Sequence, residues 1–492
     1  MYEDFERCYR AVQSKDARFD GWFVTAVLTT KIYCRPSCPV RPPFAKNIRF
    51  LPTAAAAQAA GFRACKRCRP DASPGSPEWN LRSDSVSRAM RLIADGVVDR
   101  EGVTGLAARL GYSTRQLERH LIAEVGAGPL ALARAQRAQT ARLLIETTEL
   151  AFSEVAFGAG FSSIRQFNDT VRLVFDGSPT TLREQARKRG TTATPGALTF
   201  RLPFRKPFTP EGVFGHLVAV GIPGVEEYRD GAYRRSMQLP NGTCVVSLQP
   251  TPDHVLCRIV LGQVRDLPTA IARCRRMLDL DADPEAVDDA LSADKRMRVL
   301  VSKNPGSRIP RTTDEAEMAV RVVIGQQIST AAARTHGARL AHAAGTPIAD
   351  PEGGGITHLF PSVDQLAGID PALLKMPGAR RRSFMSLVRA LGDRTVVLDA
   401  GADWWRARER LHALPGIGPW TVEMIALRAL GDPDAFPSTD LGVVKAARRL
   451  GVEGDVGKYA YDKWRPWRSY AVQYLWSSTE HAVNDFPPKG QP

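Results

Sequence analysis

The sequence predicts a multidomain, mainly α protein: a small zinc-bound domain, an all-α domain built from two helix-turn-helix units, and an α+β subdomain packed with an all-α helix-hairpin-helix domain. Three observations predict this. Two cysteine pairs, Cys34 with Cys38 and Cys65 with Cys68, have the C-x3-C and C-x2-C spacing that lets four sulfurs converge on one tetrahedral ion. A helix, a glycine turn and a second amphipathic helix occur twice within the first 190 residues. Finally, a stretch with strand character after residue 197 gives way near residue 312 to helices divided by proline and glycine, with a Pro-Gly-Ile-Gly turn from Pro415 to Gly418. A chain of 492 residues has room for several cores of this kind.

Composition points to a nucleic-acid partner. The chain carries 67 Lys and Arg against 52 Asp and Glu, a formal charge of +15, which favours attraction to phosphate. The first 190 residues hold 29 of the basic and 19 of the acidic side chains. No N-terminal apolar stretch reads as a signal peptide, and no apolar run approaches the roughly 20 residues of a membrane span. The expectation is therefore a cytoplasmic, nucleoid-associated protein without membrane contact, in a compartment where thiols stay reduced. The other four cysteines, Cys8, Cys244, Cys257 and Cys274, lack ligand spacing and are expected to be packed or partly exposed thiols.

The flanks of the cysteine pairs narrow the first unit. Thr29 to Cys38 reads TTKIYCRPSC and Gly61 to Asp71 reads GFRACKRCRPD, and both closely resemble the N-terminal domain of the Ada DNA-methylation repair family. The resemblance implies a small zinc-bound α/β domain whose metal site is the reactive centre, with Cys34 as the methyl acceptor and a DNA methylphosphotriester as donor. The chemistry is coherent. Zinc-bound cysteine is a standing thiolate, nucleophilic at neutral pH while its geometry is fixed. Four thiolates on one dication carry a net charge of about −2, which repels ordinary backbone phosphate, whereas a methylphosphotriester is neutral and can approach. A plain zinc knuckle would share the spacing but not the flanks.

Ser73 to Pro77 reads as a linker. Gly102 to Leu121 then gives a short amphipathic helix, a turn at Gly111, a Ser113-Thr114 start signal and a second helix. Small Ala107 permits close helix packing, and Gly111 can take the left-handed turn. Ser153 to Phe161, the Ser162-Ser163 start and the helix from Ile164 repeat the pattern. Paired units joined by a helix resemble the AraC-type DNA-binding domain. The exposed side chains of the two candidate recognition helices, Arg115, Gln116 and Arg119, then Ser163, Arg165 and Gln166, are types that reach base edges or phosphates. A helical hairpin whose polar side chains only face water is the competing interpretation.

Thr191 to Gly196 marks the next boundary. Leu217 to Ile222, Thr243 to Leu248 and Val255 to Leu261 read as strands and Thr269 to Leu278 as a helix, suggesting an α+β subdomain with an antiparallel sheet. A helix is expected over Glu315 to Ile324, and further helices follow. At Leu414 to Thr421, LPGIGPWT, glycines let the backbone turn tightly and present amide N–H groups to a phosphate, and Pro419 suits a first helical turn. Together with Phe436 to Leu441, FPSTDL, this resembles the helix-hairpin-helix DNA glycosylase superfamily, with Asp440 on its catalytic aspartate. Trp464 to Ala471, WRPWRSYA, and Trp476 are similar to the end of the 3-methyladenine DNA glycosylase II branch, and the resemblance spans roughly residues 197 to 480.

This resemblance implies a glycosylase acting on alkylated purines such as 3-methyladenine, with hairpin residues Gly416 and Gly418 on DNA phosphate, a monovalent cation at the hairpin, and a base pocket of Trp420, Trp476, Met424 and Leu441. Trp420 stands where lyase-type members carry a Schiff-base lysine, so a monofunctional hydrolase follows. No cysteine occurs after Cys274, so no iron–sulfur cluster is expected. Breaking the bond between sugar and base builds positive charge on the sugar, which a carboxylate at Asp440 stabilises while it orients water. Asp440 also suits the N-cap of a helix from Leu441, a role compatible with catalysis. Alkylated purines are already cationic, leave readily, and stack on the indole faces of Trp420 and Trp476 once flipped from the duplex. Trp404, Trp405, Trp464 and Trp467 are expected to be core.

The sequence also departs from that branch. Gln327 stands where the branch inserts a leucine into the gap left by the flipped base, so the wedge is polar. Met424 and Leu441 replace aromatic residues. Arg380-Arg381-Arg382 is either a phosphate contact or a solvated helix face. The Pro-Cys-His-Arg nucleophile of the second Ada methyl acceptor has no counterpart, so direct reversal of O6-alkylguanine is not expected. The expected organisation is a methyl-acceptor domain over 1–78, a DNA-binding domain over 79–190, a glycosylase α+β subdomain over 197–292 and a helix-hairpin-helix domain over 293–485. The combined expectation is a monomeric alkylation-response protein with alkylated DNA, a promoter or operator site and RNA polymerase as partners. The rival is a transcription regulator whose C-terminal half binds DNA without excising bases.

Overall fold

The computed structural model describes residues 3–70, 84–188, 197–370 and 374–479, with Asn484 and Phe486. The linker expected at 73–77 and the boundary expected at 191–196 lie outside the described residues. Among the described residues, no helix is long and apolar enough to cross a membrane.

The N-terminal unit is a four-stranded mixed sheet in the order β3-β1-β2-β4. Strand β1 (Val24–Val27) pairs antiparallel with β2 (Ile32–Cys34) and β3 (Ile48–Leu51), and β2 runs parallel to β4 (Arg63–Ala64). The parallel pair is what joins the cysteines. Cys34 ends β2, Cys65 follows β4, and the Cys65 N–H donates to the Tyr33 carbonyl at 3.0 Å, setting the two chain segments side by side. Helices Phe5–Gln13 and Ala54–Ala59, capped by Asp4 and Thr53, flank the sheet.

The helical unit carries both expected repeats. In the first, Val97–Leu110, broken at Gly102 (φ 70°), ends at Gly111 with φ 78°, and Ser113 caps Thr114–Val125 in a capping box with Gln116. In the second, Phe152–Gly158 leads to Ile164–Phe175, capped by Ser163. Pro129–Thr147, 19 residues, spans about 28 Å between them.

The next unit is a five-stranded antiparallel sheet, β5 (Leu198–Pro203), β9 (His254–Leu261), β8 (Thr243–Pro250), β7 (Ala232–Gln238) and β6 (Glu226–Arg229) in that spatial order. Leu217–Ile222 is not a strand. It falls in and just after helix Pro210–Val220, where Pro210 opens the first turn and Val213, Phe214 and Leu217 form one buried stripe. Its β-branched tail suggested a strand, and packing overrode that propensity. The expected strands 243–248 and 255–261 and the helix near 269–278, observed as Leu267–Met277, are present. The β6–β7 hairpin turns on Asp230 and Gly231, both at positive φ (54° and 79°), the Asp-Gly signature of a two-residue turn. Its strands were hidden because they bury charge: Arg235 meets Glu317 at 2.7 Å and Glu226 at 3.4 Å inside the protein.

The C-terminal unit is helical, and the helix expected at Glu315–Ile324 has those limits. The units share an apolar core in which Tyr33 and Phe62 of the first, Leu144, Phe167 and Phe175 of the second and Phe200, Val246 and Ile259 of the third cluster together. Polar contacts reinforce this core. Arg205 donates to the Asp20 carbonyl at 2.5 Å, Asp95 receives Arg273 at 3.4 Å and Arg276 at 3.7 Å, and Arg91 donates to the Ala400 carbonyl at 2.7 Å.

Candidate functional site

The first site is built by the strand ends. The four cysteine sulfurs lie within 4.8 Å of one another, with Cys38, Cys65 and Cys68 buried and Cys34 half-exposed. This compact all-sulfur set fits the tetrahedral coordination of a zinc ion. The residue that holds the ligand loop has no signal in the sequence. Buried Asp20 accepts from the Ser37 N–H at 3.0 Å and the Ser37 hydroxyl at 2.6 Å, with Arg35 at 3.4 Å. Burial raises the Asp20 carboxyl despite these partners. The remaining cysteines, Cys8, Cys244, Cys257 and Cys274, are buried thiols outside any disulfide, and burial pushes Cys8 up to about 11.

The two candidate recognition helices, Thr114–Val125 and Ile164–Phe175, present polar faces to solvent. Arg115, Gln116, Arg119, Ser163 and Arg165 are exposed and Gln166 half-buried. Several also have local duties. The Gln116 side-chain oxygen accepts from the Ser113 N–H at 3.1 Å and that of Gln166 from the Ser162 hydroxyl at 3.0 Å, while Ser163 caps its own helix. Arg115, Arg119 and Arg165 are therefore the long side chains with the freest reach.

The second site gathers around Asp440. It caps helix Leu441–Arg449, and its Oδ1 accepts the Val443 N–H at 3.0 Å and the Trp476 Nε1–H at 3.0 Å, while Oδ2 accepts the Trp420 Nε1–H at 3.0 Å. Three helices thus converge on one carboxylate: Trp420 stands at the start of Pro419–Ile425, Trp476 near the end of Arg468–Ser477. The sequence placed both tryptophans in the pocket as stacking faces. Their role as hydrogen-bond donors to Asp440 had no sequence signal. Met424, one turn beyond Trp420, is half-buried, and Leu441 is 72% exposed beside Asp440. Glu423, also missed, accepts from the Phe436 N–H at 2.7 Å and pairs with Arg408 at 3.0 Å, anchoring the segment that leads to Asp440.

The hairpin and the turn carrying Gln327 meet beside this site. Gly416 has φ 74°, and a Cβ there would strike the Ser383 hydroxyl, so both conformation and space require glycine. Gly418 caps Pro419–Ile425 and faces open space. Exposed Gln327 takes φ 55° in the turn before Thr330–Ala344, and its neighbour Gln326 donates to Thr421 Oγ1 at 2.8 Å and the Gly416 carbonyl at 3.3 Å. The Arg380–Arg382 run lies in the first turns of helix Gly378–Gly392, which carries the Ser383 that abuts the hairpin. Trp404 and Trp464 are core as expected and Trp467 packs partly buried against it, but Trp405 is 80% exposed, because its helix turns that side to solvent.

Comparison with known proteins follows the same division. Three family models match parts of the chain: the metal binding domain of Ada over residues 7–71, a helix-turn-helix domain over residues 106–185 and the AlkA N-terminal domain over residues 199–314. The chain is 66% identical to the probable bifunctional transcriptional activator/DNA repair enzyme AlkA of Mycobacterium tuberculosis, covering 99% of each chain. It is 30% identical to DNA-3-methyladenine glycosylase 2 of Escherichia coli, over 56% of this chain and 96% of that one. Among solved structures, the 3-methyladenine DNA-glycosylase from Archaeoglobus fulgidus shares the fold, with a TM-score of 0.50 at 20% identity over 56% of this chain and 97% of its own.

Proposed function

The chain belongs to the family of the bifunctional transcriptional activator/DNA repair enzyme AlkA, and from that premise we propose that it couples methyl acceptance from DNA, sequence-specific DNA binding and excision of alkylated bases. The units fall at 1–78, 79–190, 197–292 and 293–485. The observation that carries the reading is the Asp440 carboxylate held by two tryptophan N–H groups beside a glycine hairpin.

In the first unit, Cys34, Cys38, Cys65 and Cys68 would hold zinc, which when bound keeps its sulfurs as thiolates. Cys34 is the half-exposed member of the set, hence the sulfur a DNA methyl can reach. Its Sγ attacks the methyl carbon of a neutral methylphosphotriester. A carbon–sulfur bond forms as the carbon–oxygen bond breaks, and the phosphodiester anion leaves. Asp20, through Ser37 and Arg35, fixes the loop between the first two ligands.

In the glycosylase half, the backbone at Gly416 and Gly418 would hold DNA phosphate, and a monovalent cation bound at the hairpin would supply positive charge toward it. Gln327 fills the space left by the flipped purine, which stacks among Trp420, Trp476, Met424 and Leu441. The glycosidic bond breaks with its electron pair going to the base, and the sugar becomes cationic. Oδ1 of Asp440 already accepts two hydrogen bonds and Oδ2 one. Oδ2 therefore keeps the freer lone pair for the sugar and the attacking water. With Trp420 in place of a lysine, the reaction ends at the abasic site. The protein acts as a cytoplasmic, nucleoid-associated monomer, and Arg115, Arg119 and Arg165 lead operator contacts that position RNA polymerase.

The test is an abasic-site assay on methylated duplex DNA. Released methylpurine with matching alkali-labile sites supports the reading. Intact DNA binding without base release would leave a regulator whose C-terminal half only binds.

A further inference from the structure

The base pocket carries a charge that the excision reaction does not use. The helix from Pro419 widens into a π turn over Ala426–Leu430, an insertion that often re-aims a side chain at a functional site. Here it turns Arg428 inward. The side chain is 3% exposed, its Nη1 donates to the Pro310 carbonyl at 2.7 Å, and its guanidinium lies 4.9 Å from the centre of the Trp476 ring. No carboxylate among the described residues lies within ion-pair distance of it, whereas nearby Arg311 has Asp279 at 3.3 Å. Burial lowers Arg428 to about 9, and Asp440 is the acidic group opposing that shift.

Three neighbours place Trp476, which also packs against the adjoining apolar core. Arg428 covers one face, Asp440 takes its N–H, and Gly442 leaves a would-be Cβ only 3.2 Å from the Cδ1 and Nε1 edge. In the proposed reading a flipped base stacks on the face opposite Arg428. A base stacked there at roughly 3.5 Å lies about 8 Å from the guanidinium. At an effective dielectric near 20, that separation opposes a cationic base by roughly tenfold or more in binding. Asp440 attracts the same cation, so the two charges work against each other.

We propose that Arg428 is a specificity-determining residue of the base pocket, whose buried charge behind Trp476 offsets the pull of Asp440 on a cationic base, so that stacking selects damaged purines by shape rather than by formal charge. This rests on the glycosylase reading above. It also revises the sequence-based expectation that positive charge on the base strengthens its stacking on indole, since a cation already occupies the far face.

The experiment compares single-turnover release of cationic 7-methylguanine and neutral hypoxanthine from the same duplex context. Arg428→Gln keeps a donor for the Pro310 carbonyl and removes the charge; Arg428→Lys keeps the charge. The Gln variant should raise the cationic-to-neutral ratio about tenfold, and the Lys variant should leave the ratio near wild type whatever its absolute rate. An unchanged ratio in the Gln variant, with both rates reduced alike, would make Arg428 a packing residue and overturn the proposal. Should the Gln variant not fold, competition on the wild-type protein decides. Free 7,9-dimethylguaninium and neutral 9-methylguanine should inhibit within a few-fold of each other, and a tenfold advantage for the cation refutes the offset. Release of neither base by wild type would instead defeat the glycosylase reading itself.

Discussion

Asp440→Asn is the most informative perturbation of the proposed excision site because it separates charge from shape. Asparagine remains a good N-cap, so helix Leu441–Arg449 and the fold should survive. Two effects follow from the geometry. A carboxylate about 4 Å from a unit positive charge on the sugar is worth about 4 kcal/mol at an effective dielectric near 20, or about a thousandfold in rate. The amide also has one acceptor where the carboxylate had two. Keeping Val443 and Trp476 on its oxygen turns the amide N–H2 toward the Trp420 N–H, donor against donor. Losing that charge-assisted hydrogen bond costs about 1.5–3 kcal/mol and loosens Trp420. The expected outcome is retained binding to damaged duplex DNA, weakened through Trp420, with single-turnover base release down at least a thousandfold. A double-mutant cycle with Trp420→Phe tests the second effect: in the Asn background the Trp420 change should cost much less stability than in wild type. Base release near the wild-type rate would remove Asp440 from the chemistry, and strict additivity would remove the donor conflict.

Three further outcomes are expected. Borohydride added during excision should trap no covalent protein–DNA adduct, and a trapped adduct would overturn the hydrolase assignment drawn from Trp420. Methylation of Cys34, confirmed by mass spectrometry, turns one thiolate into a neutral thioether. It should tighten operator binding roughly tenfold, with the gain shrinking as salt rises; equal affinities would confine the zinc unit to repair. Burial raises Glu315 to about 7, above its unfolded value, so its protonated form stabilises the fold at low pH. That contribution is lost, by up to about 3 kcal/mol, as pH rises from about 4.5 to about 7. Glu315→Gln should therefore flatten the melting temperature over this window, and an unchanged profile counts against the raised value.

The metal site, both helix-turn-helix units and the hairpin were legible in the sequence because each depends on local spacing: cysteine pairs, a glycine turn before a Ser/Thr cap, and Asp440 ahead of Leu441. What escaped depends on distant partners. Asp20 reaches Ser37 across a strand pair, Arg428 is turned inward by a π turn, and Glu423 anchors Phe436 from a neighbouring helix. The helix at Pro210–Val220 and the strand at Ala232–Gln238 were obscured for opposite reasons. One carries β-branched residues that suit a sheet, and the other buries arginines that a strand seldom tolerates without Glu226, Glu227 and Glu317 as partners.

The apolar core joining Tyr33, Phe167 and Phe200 makes the three units thermodynamic neighbours. Ion binding at Cys34, Cys38, Cys65 and Cys68 favours the folded zinc unit over the unfolded chain. Through the shared core and the Asp20–Arg205 contact, that preference extends to the sheet on which the glycosylase half rests. Zinc supply is thereby linked to base excision: a chelator that strips the methyl acceptor should also lower the temperature at which excision activity is lost.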